Sequence, residues 1–204
     1  MEENINESLS RLGRRILEMA RNELYIHMRF LDVALSSFLY EPDPYIRCVA
    51  TDGIHMFYHP VMLGNVFQKN RIWVNRSYLH MVLHCILHHV TRRGKREKNL
   101  WNLSCDIAVE SIIDHWYLKC VHFPQTRLRK DTYGQLSKAM KVLTAEGIYR
   151  QLAGWNLPED KVRELAAEFQ KDEHGYWPDD PKQEMHQEVE NRWKNISEKT
   201  ETDM

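Results

Sequence analysis

Residues 79–94 read LHMVLHCILHHVTRRG, with four histidines, His80, His84, His88 and His89, inside ten positions among Leu, Val, Met, Ile and Cys. An apolar stretch of this length that ends at Gly94 is expected to be a helix, with Asn75 or Ser77 as its N-cap and Gly94 as its C-terminal stop. Successive helical residues lie 100° apart, so His80 and His84 share a face, as do His84 and His88, while His89 lies roughly opposite His80. Two imidazoles at i and i+4 can hold one zinc through ring nitrogens near 2.1 Å. His80 and His88 start about 12 Å apart along the axis, at 1.5 Å per residue, which is too far to share one ion.

A further ligand must come from another element. NLWNLSCDIAVESIIDHWYLK, residues 99–119, reads as an amphipathic helix with Leu103, Ile107, Ile112, Ile113 and Trp116 on its apolar side and Asn102, Asp106, Glu110 and Asp114 on its polar side. Asp106 follows His84 by 22 residues, enough for a turn and a returning helix, and a carboxylate oxygen is an acceptable zinc ligand. Glu110, one turn further on, is placed to orient a ligating imidazole from behind.

The rest of the chain supplies a scaffold. Residues 6–39 carry helical periodicity, and the prolines of EPDP at 41–44 stop it. IRCVATDGIHMFYHP predicts a hairpin about Asp52-Gly53, and NRIWVN at 70–75 is a third strand candidate. TAEGIYRQLAGW and PEDKVRELAAEFQ read as two short helices, KDEHGYWPDDP as a loop, and the polar tail as one more helix fraying over SEKTETDM. The expected fold is α+β and zincin-like, helices around a small sheet, with an all-α bundle carrying a hairpin as the alternative. The expected division is a domain over 1–180 and a polar helix or tail over 181–204.

Lys and Arg total 28 against 29 Asp and Glu, so no global field points to nucleic acid or an anionic membrane. The five cations of TRRGKREK, 91–98, offer a phosphate contact, but they fit better the C-terminal end of a helix, where the macrodipole favours them. No apolar run reaches the roughly 20 residues that span a bilayer and the N-terminus is too charged for a secretory signal, so the expected location is cytoplasmic. Cys48, Cys85, Cys105 and Cys120 lack CxxC spacing and read as buried apolar residues. Neither a GxSxG elbow nor a glycine-rich phosphate loop is present, which excludes the common nucleophilic and nucleotide-binding classes.

Residues 79–113, LHMVLHCILHHVTRRGKREKNLWNLSCDIAVESII, resemble a metallopeptidase domain of bacterial proteins that often carry a von Willebrand A-like domain at the C-terminus. ATDGIHMFYHP resembles that family's hairpin, TAEGIYRQL its later helix start and DEHGYW a His- and Trp-containing loop, so the likeness runs over about residues 25–178. It implies that His80 and His84 are the two HExxH histidines, His89 the family's further histidine and Asp106 the third ligand, with zinc as the metal. His88 stands where the family usually has a small residue, and His174 can approach from its loop. His55, His59, His115, His122 and His186 have no metal-ligand spacing.

The chain departs from the pattern at three places. Met81 replaces the HExxH glutamate, the general base and acid of that chemistry, which implies impaired or absent peptidase activity. Glu110 stands where the family has Asn and is either a substitute base or a partner behind a ligand. No von Willebrand A-like domain precedes Met204, so the chain is either a short relative or a piece of a longer protein. The first expectation is therefore a zinc-binding, metallopeptidase-like protein with its base replaced. The alternative is a non-catalytic interaction module, its metal structural or vestigial, working with a von Willebrand A-like protein or an AAA-type ATPase.

Overall fold

The computed structural model describes residues 2–178, 180 and 182–202. In chain order the elements are α1 (Glu2–His27), a 3-10 turn (Arg29–Leu31), α2 (Asp32–Leu35), β1 (Leu39–Pro42), β2 (Val49–Thr51), β3 (His55–Tyr58), α3 (Pro60–Lys69), α4 (Arg71–Ile86), α5 (Lys98–Trp116), α6 (Arg127–Ser137), α7 (Ala145–Trp155), α8 (Glu159–Phe169) and α9 (Glu184–Thr202). Mostly helical with one small sheet, this is the α+β arrangement expected from the sequence.

Helix α4 is the central element. Every residue from Val74 to Cys85 is buried, so the helix is enclosed on all sides and its polar residues must find partners inside the protein. Helix α5 runs beside it, while α1, α3 and α9 cover its other sides and α7 and α8 pack on α5. The polar side of α5 therefore faces inward: Asp106, Glu110 and Asp114 are all buried.

Two boundaries differ from the sequence reading. Residues 70–75 are not a strand: the Asn70 side chain accepts from the amide of Ile72 and starts α4 at Arg71, five residues or more ahead of the expected caps Asn75 and Ser77. The capped first turn decides in favour of helix. At the other end α4 stops at Ile86 rather than Gly94, because His88 takes a left-handed φ of 58°. Gly94 is also left-handed, but in the loop that follows. Two further helices, α3 and α6, lie in stretches whose periodicity gave no signal.

The third strand is β1, built from the segment whose prolines signal a stop. β1 sits at the sheet edge, where Pro42 removes no needed ladder donor. The order is β1-β3-β2, with β1 parallel to β3 (Leu39 beside His55) and β2 antiparallel to it (Val49 beside Tyr58). The hairpin forms as expected. Asp52 accepts from the amides of Ile54 and His55, and Gly53 turns the chain with φ 94°.

The C-terminal helix is part of the same packing. α9 buries Val189, Trp193 and Ile196, and Trp193 donates its indole N–H to the carbonyl of Gly53 at 2.6 Å. The helix continues to Thr202 through most of the stretch expected to fray; residues 203 and 204 lie outside the described residues. A Cβ on Gly53 would stand 2.5 Å from Val189 Cγ1. Gly53→Ala is therefore expected to lower stability by about 1–3 kcal/mol through overpacking, with about 1–2 kcal/mol more from the left-handed backbone. The midpoint of urea unfolding measures it.

Candidate metal centre

Five side chains point donor atoms at one another in the interior: His80 and His84 from α4, Asp106 from α5, and Asp172 and His174 from the loop between α8 and α9. His80 Nε2 lies 2.8 Å from His84 Nε2 and 3.1 Å from Asp106 Oδ1. His84 Nε2 is 3.2 Å from Asp106 Oδ1, and His174 Nε2 is 3.2 Å from Asp106 Oδ1 and 3.1 Å from Asp172 Oδ1. Asp172 Oδ1 is 3.5 Å from His80 Nε2. His84 Nε2 is 3.9 Å from Asp172 Oδ1, and all five donor atoms lie within 4.8 Å of one another; ligands at about 2.0–2.1 Å on tetrahedral corners stand about 3.3–3.4 Å apart, so the cluster has the size of a coordination shell.

The chemistry of the donor set agrees. Neutral imidazole nitrogens and carboxylate oxygens are all lone-pair donors, and contacts of about 3 Å among them call for a proton or a cation between them. The two carboxylates carry a charge of −2, which one divalent ion neutralises. Asp172 Oδ2 is buried and has no hydrogen-bond partner among the described residues. With protons alone, the charge falls unevenly. Burial opposes ionisation of His174, but Asp106 and Asp172 outweigh it and push its pKa up to about 10. Burial and the neighbouring His80 lower His84 to about 4.

The support for each candidate ligand comes from a different element. His80 Nδ1 faces Glu110 Oε1 at 3.0 Å. Glu110 in turn accepts from Arg76 Nη2 and Arg129 Nη1, both at 2.7 Å. Asp114 accepts from the same two guanidiniums and from the Tyr133 hydroxyl at 3.0 Å. Burial works against a charged Glu110, yet the His80 contact and both arginines hold its carboxyl well below the usual carboxylate range. Behind His84 stands His89, Nδ1 to Nδ1 at 3.0 Å.

The loop ligands are held by the sheet. Glu173 bridges Ala50 as a short parallel extension beyond β2 and donates its amide to Val49 O at 3.0 Å. The Glu173 carboxylate accepts from the Arg47 amide, and Tyr176 stacks on Phe57 at 4.4 Å and donates its hydroxyl to Asp43. Trp177 closes over the imidazoles, 4.0 Å from the His174 ring and 5.0 Å from that of His84. The hairpin thus aims Asp172 and His174 at the two helices. From Asp106 and His174 a groove of about 780 Å³ opens to the surface between α5 and α8, past Asn102, Val162 and Arg163.

His80, His84 and Asp106 meet as their spacing suggested, and His174 does approach from its loop. Asp172 was missed. Its nearest signal is the Asp-x-His pair of KDEHGYW, and a loop has no periodicity to make such a pair point anywhere. Met81 is fully buried in the apolar core, and Glu110 lies one layer out from the cluster. His89 sits behind His84, and His88 lies outside the cluster. Among the other histidines, His59 caps α3, His55 pairs with Asp52, and His186 meets the carbonyl of Thr91 at 2.9 Å.

Two cations of the basic turn 91–98, Arg93 and Arg96, are used internally. The Arg96 guanidinium lies over Trp101 at 4.6 Å, and Arg93 and Arg96 donate to backbone carbonyls. The cysteines are free, with Cys85, Cys105 and Cys120 buried and Cys48 half-buried. Among the described residues no helix is long and apolar enough to cross a membrane. A family model described as "Putative metallopeptidase domain" matches residues 14–204 of this chain. No curated protein and no solved structure matches it.

Proposed function

The chain belongs to the putative metallopeptidase domain family, and on that premise we propose that it is a zincin-like, zinc-binding protein whose peptidase chemistry is impaired. The observation that carries the reading is the convergence of three imidazoles and two carboxylates on one buried point. Imidazole with carboxylate suits zinc, and the net charge of the site suits a divalent ion. His80, His84, Asp106, Asp172 and His174 would hold it. Zinc in a hydrolase site acts as a Lewis acid and acidifies water.

What this chain lacks is the proton carrier. A thioether at position 81 takes no proton, and a positioned general base contributes about 10²–10⁴-fold to such reactions. Glu110 is a poor substitute, because two arginines and the His80 ring occupy its oxygens; its fit is that of a group that orients His80. Closure of the site points the same way, since catalytic zinc usually keeps one position free of protein ligands and here five donors converge.

That closure also favours a second reading, a non-catalytic module. Its metal would tie the 170–178 loop to α4 and α5, and its surface would serve a von Willebrand A-like or AAA-type partner. One pair of measurements tests both. Elemental analysis of protein stripped with chelator and reloaded is expected to find about one zinc per chain; none would overturn the metal reading. Met81→Glu at equal zinc content is expected to gain peptide hydrolysis by about 10²-fold or more if the site is a disabled peptidase. An unchanged rate supports the module.

A further inference from the structure

The two ligating imidazoles of α4 are backed by different chemistry. His80 has a carboxylate behind it, while His84 has a second imidazole, that of His89. Two ring nitrogens 3.0 Å apart share one hydrogen, so one donates and the other accepts. A neutral His84 that offers its Nε2 lone pair to a cation keeps its hydrogen on Nδ1. The Nδ1 of His89 must then be bare, with its own hydrogen on Nε2. We propose that His89 is a positioning residue that fixes the tautomer and ring angle of His84 by accepting its Nδ1–H, and is not itself a ligand. This inference rests on the metal reading above.

The chain is built to bring the two rings together. Five residues apart on a continuing helix, they would diverge by about 140°. Instead α4 ends in a left-handed turn at His88, closed by Leu87 N to Leu83 O at 2.9 Å and His89 N to His84 O at 2.8 Å. This reversal folds the His89 ring back to 5.2 Å from that of His84. Trp101 then fixes it, donating its indole N–H to His89 O at 3.3 Å and placing its ring 6.2 Å from the imidazole. The Nε2–H is not stranded by this arrangement. His89 lines a cavity of about 710 Å³ on the side of α5 away from the groove, where water can accept that hydrogen.

The test uses ¹⁵N-histidine-labelled, zinc-loaded protein, in which long-range ¹H–¹⁵N correlations assign the hydrogen of each ring. The expected result is a hydrogen on Nδ1 of His84 and on Nε2 of His89. Zinc affinity, measured by competition with a chromophoric chelator, is expected to fall about 10–100-fold in His89→Phe. His89→Gln, whose amide oxygen can still accept, should recover most of it. A hydrogen on His89 Nδ1, or a His89→Phe protein that binds zinc as tightly as the native one, overturns the proposal and leaves the metal reading standing. Failure of the native protein to bind zinc overturns both. Should His89→Phe fail to fold, the tautomers of the native protein decide.

Discussion

Asp172→Ala is expected to weaken zinc binding about as much as His80→Ala does, by roughly 30–200-fold, taking the 10–16 kcal/mol of a structural zinc site as shared among five ligands. Asp172 supplies one of the only two negative charges in the cluster, and its Oδ1 stands 3.1 Å from His174 Nε2 and 3.5 Å from His80 Nε2. Removing it leaves three imidazoles around a single carboxylate, a poorer match for a divalent ion. The effect reaches stability. An ion bound only by the native state stabilises it by about 4 kcal/mol at a thousand times its Kd. The native protein should therefore unfold at a higher temperature with zinc than with chelator, and Asp172→Ala should lose most of that difference. Chelator competition and paired melting curves measure both effects. Native-like zinc affinity in Asp172→Ala would confine the ligand set to the other four side chains.

Arg76→Met is expected to destabilise the protein by about 3–5 kcal/mol, the usual consequence of removing one partner from a buried ion pair. The Arg76 guanidinium is 1% exposed and donates to Glu110, to Asp114 and to the carbonyl of Val121 at 2.9 Å. Without it Arg129 is the one guanidinium left to two buried carboxylates. By contrast, the Arg14–Glu18 pair is exposed on α1, and Arg14→Ala should change stability by no more than about 0.5 kcal/mol. Urea unfolding of both variants separates these expectations. A small loss in Arg76→Met would mean that the methionine packs well enough to offset the stranded charges.

The outline of the site is visible in the chain wherever a helix imposes a period. His80 and His84 share a face at any helical register, and a polar stripe of Asn102, Asp106, Glu110 and Asp114 follows on the next helix. What periodicity leaves open is which way that stripe looks. A polar stripe is ordinarily solvated; here α4 is enclosed on every side and α5 turns its carboxylates toward it. Arg76 gives no advance signal, being one cation just past the stretch that reads as a strand, and its role exists only because Glu110 and Asp114 are brought opposite it. Residues 70–75 are misread because six residues with a short β-prone run carry too few turns to show a helical period.

By itself the sequence determined the local facts: the hairpin about Asp52-Gly53, the helix with its histidine pair and Met81 between them, and the returning helix with Asp106. Those depend on interactions within a few residues, which spacing and residue type report directly. Only the tertiary structure decided the closure of the site. Asp172 and His174 belong to a loop 66 or more residues beyond Asp106 in the chain, and what aims them inward is the bridge from Glu173 to Ala50 and the stacking of Tyr176 on Phe57. Those contacts join segments more than 100 residues apart, a separation across which no local pattern carries information.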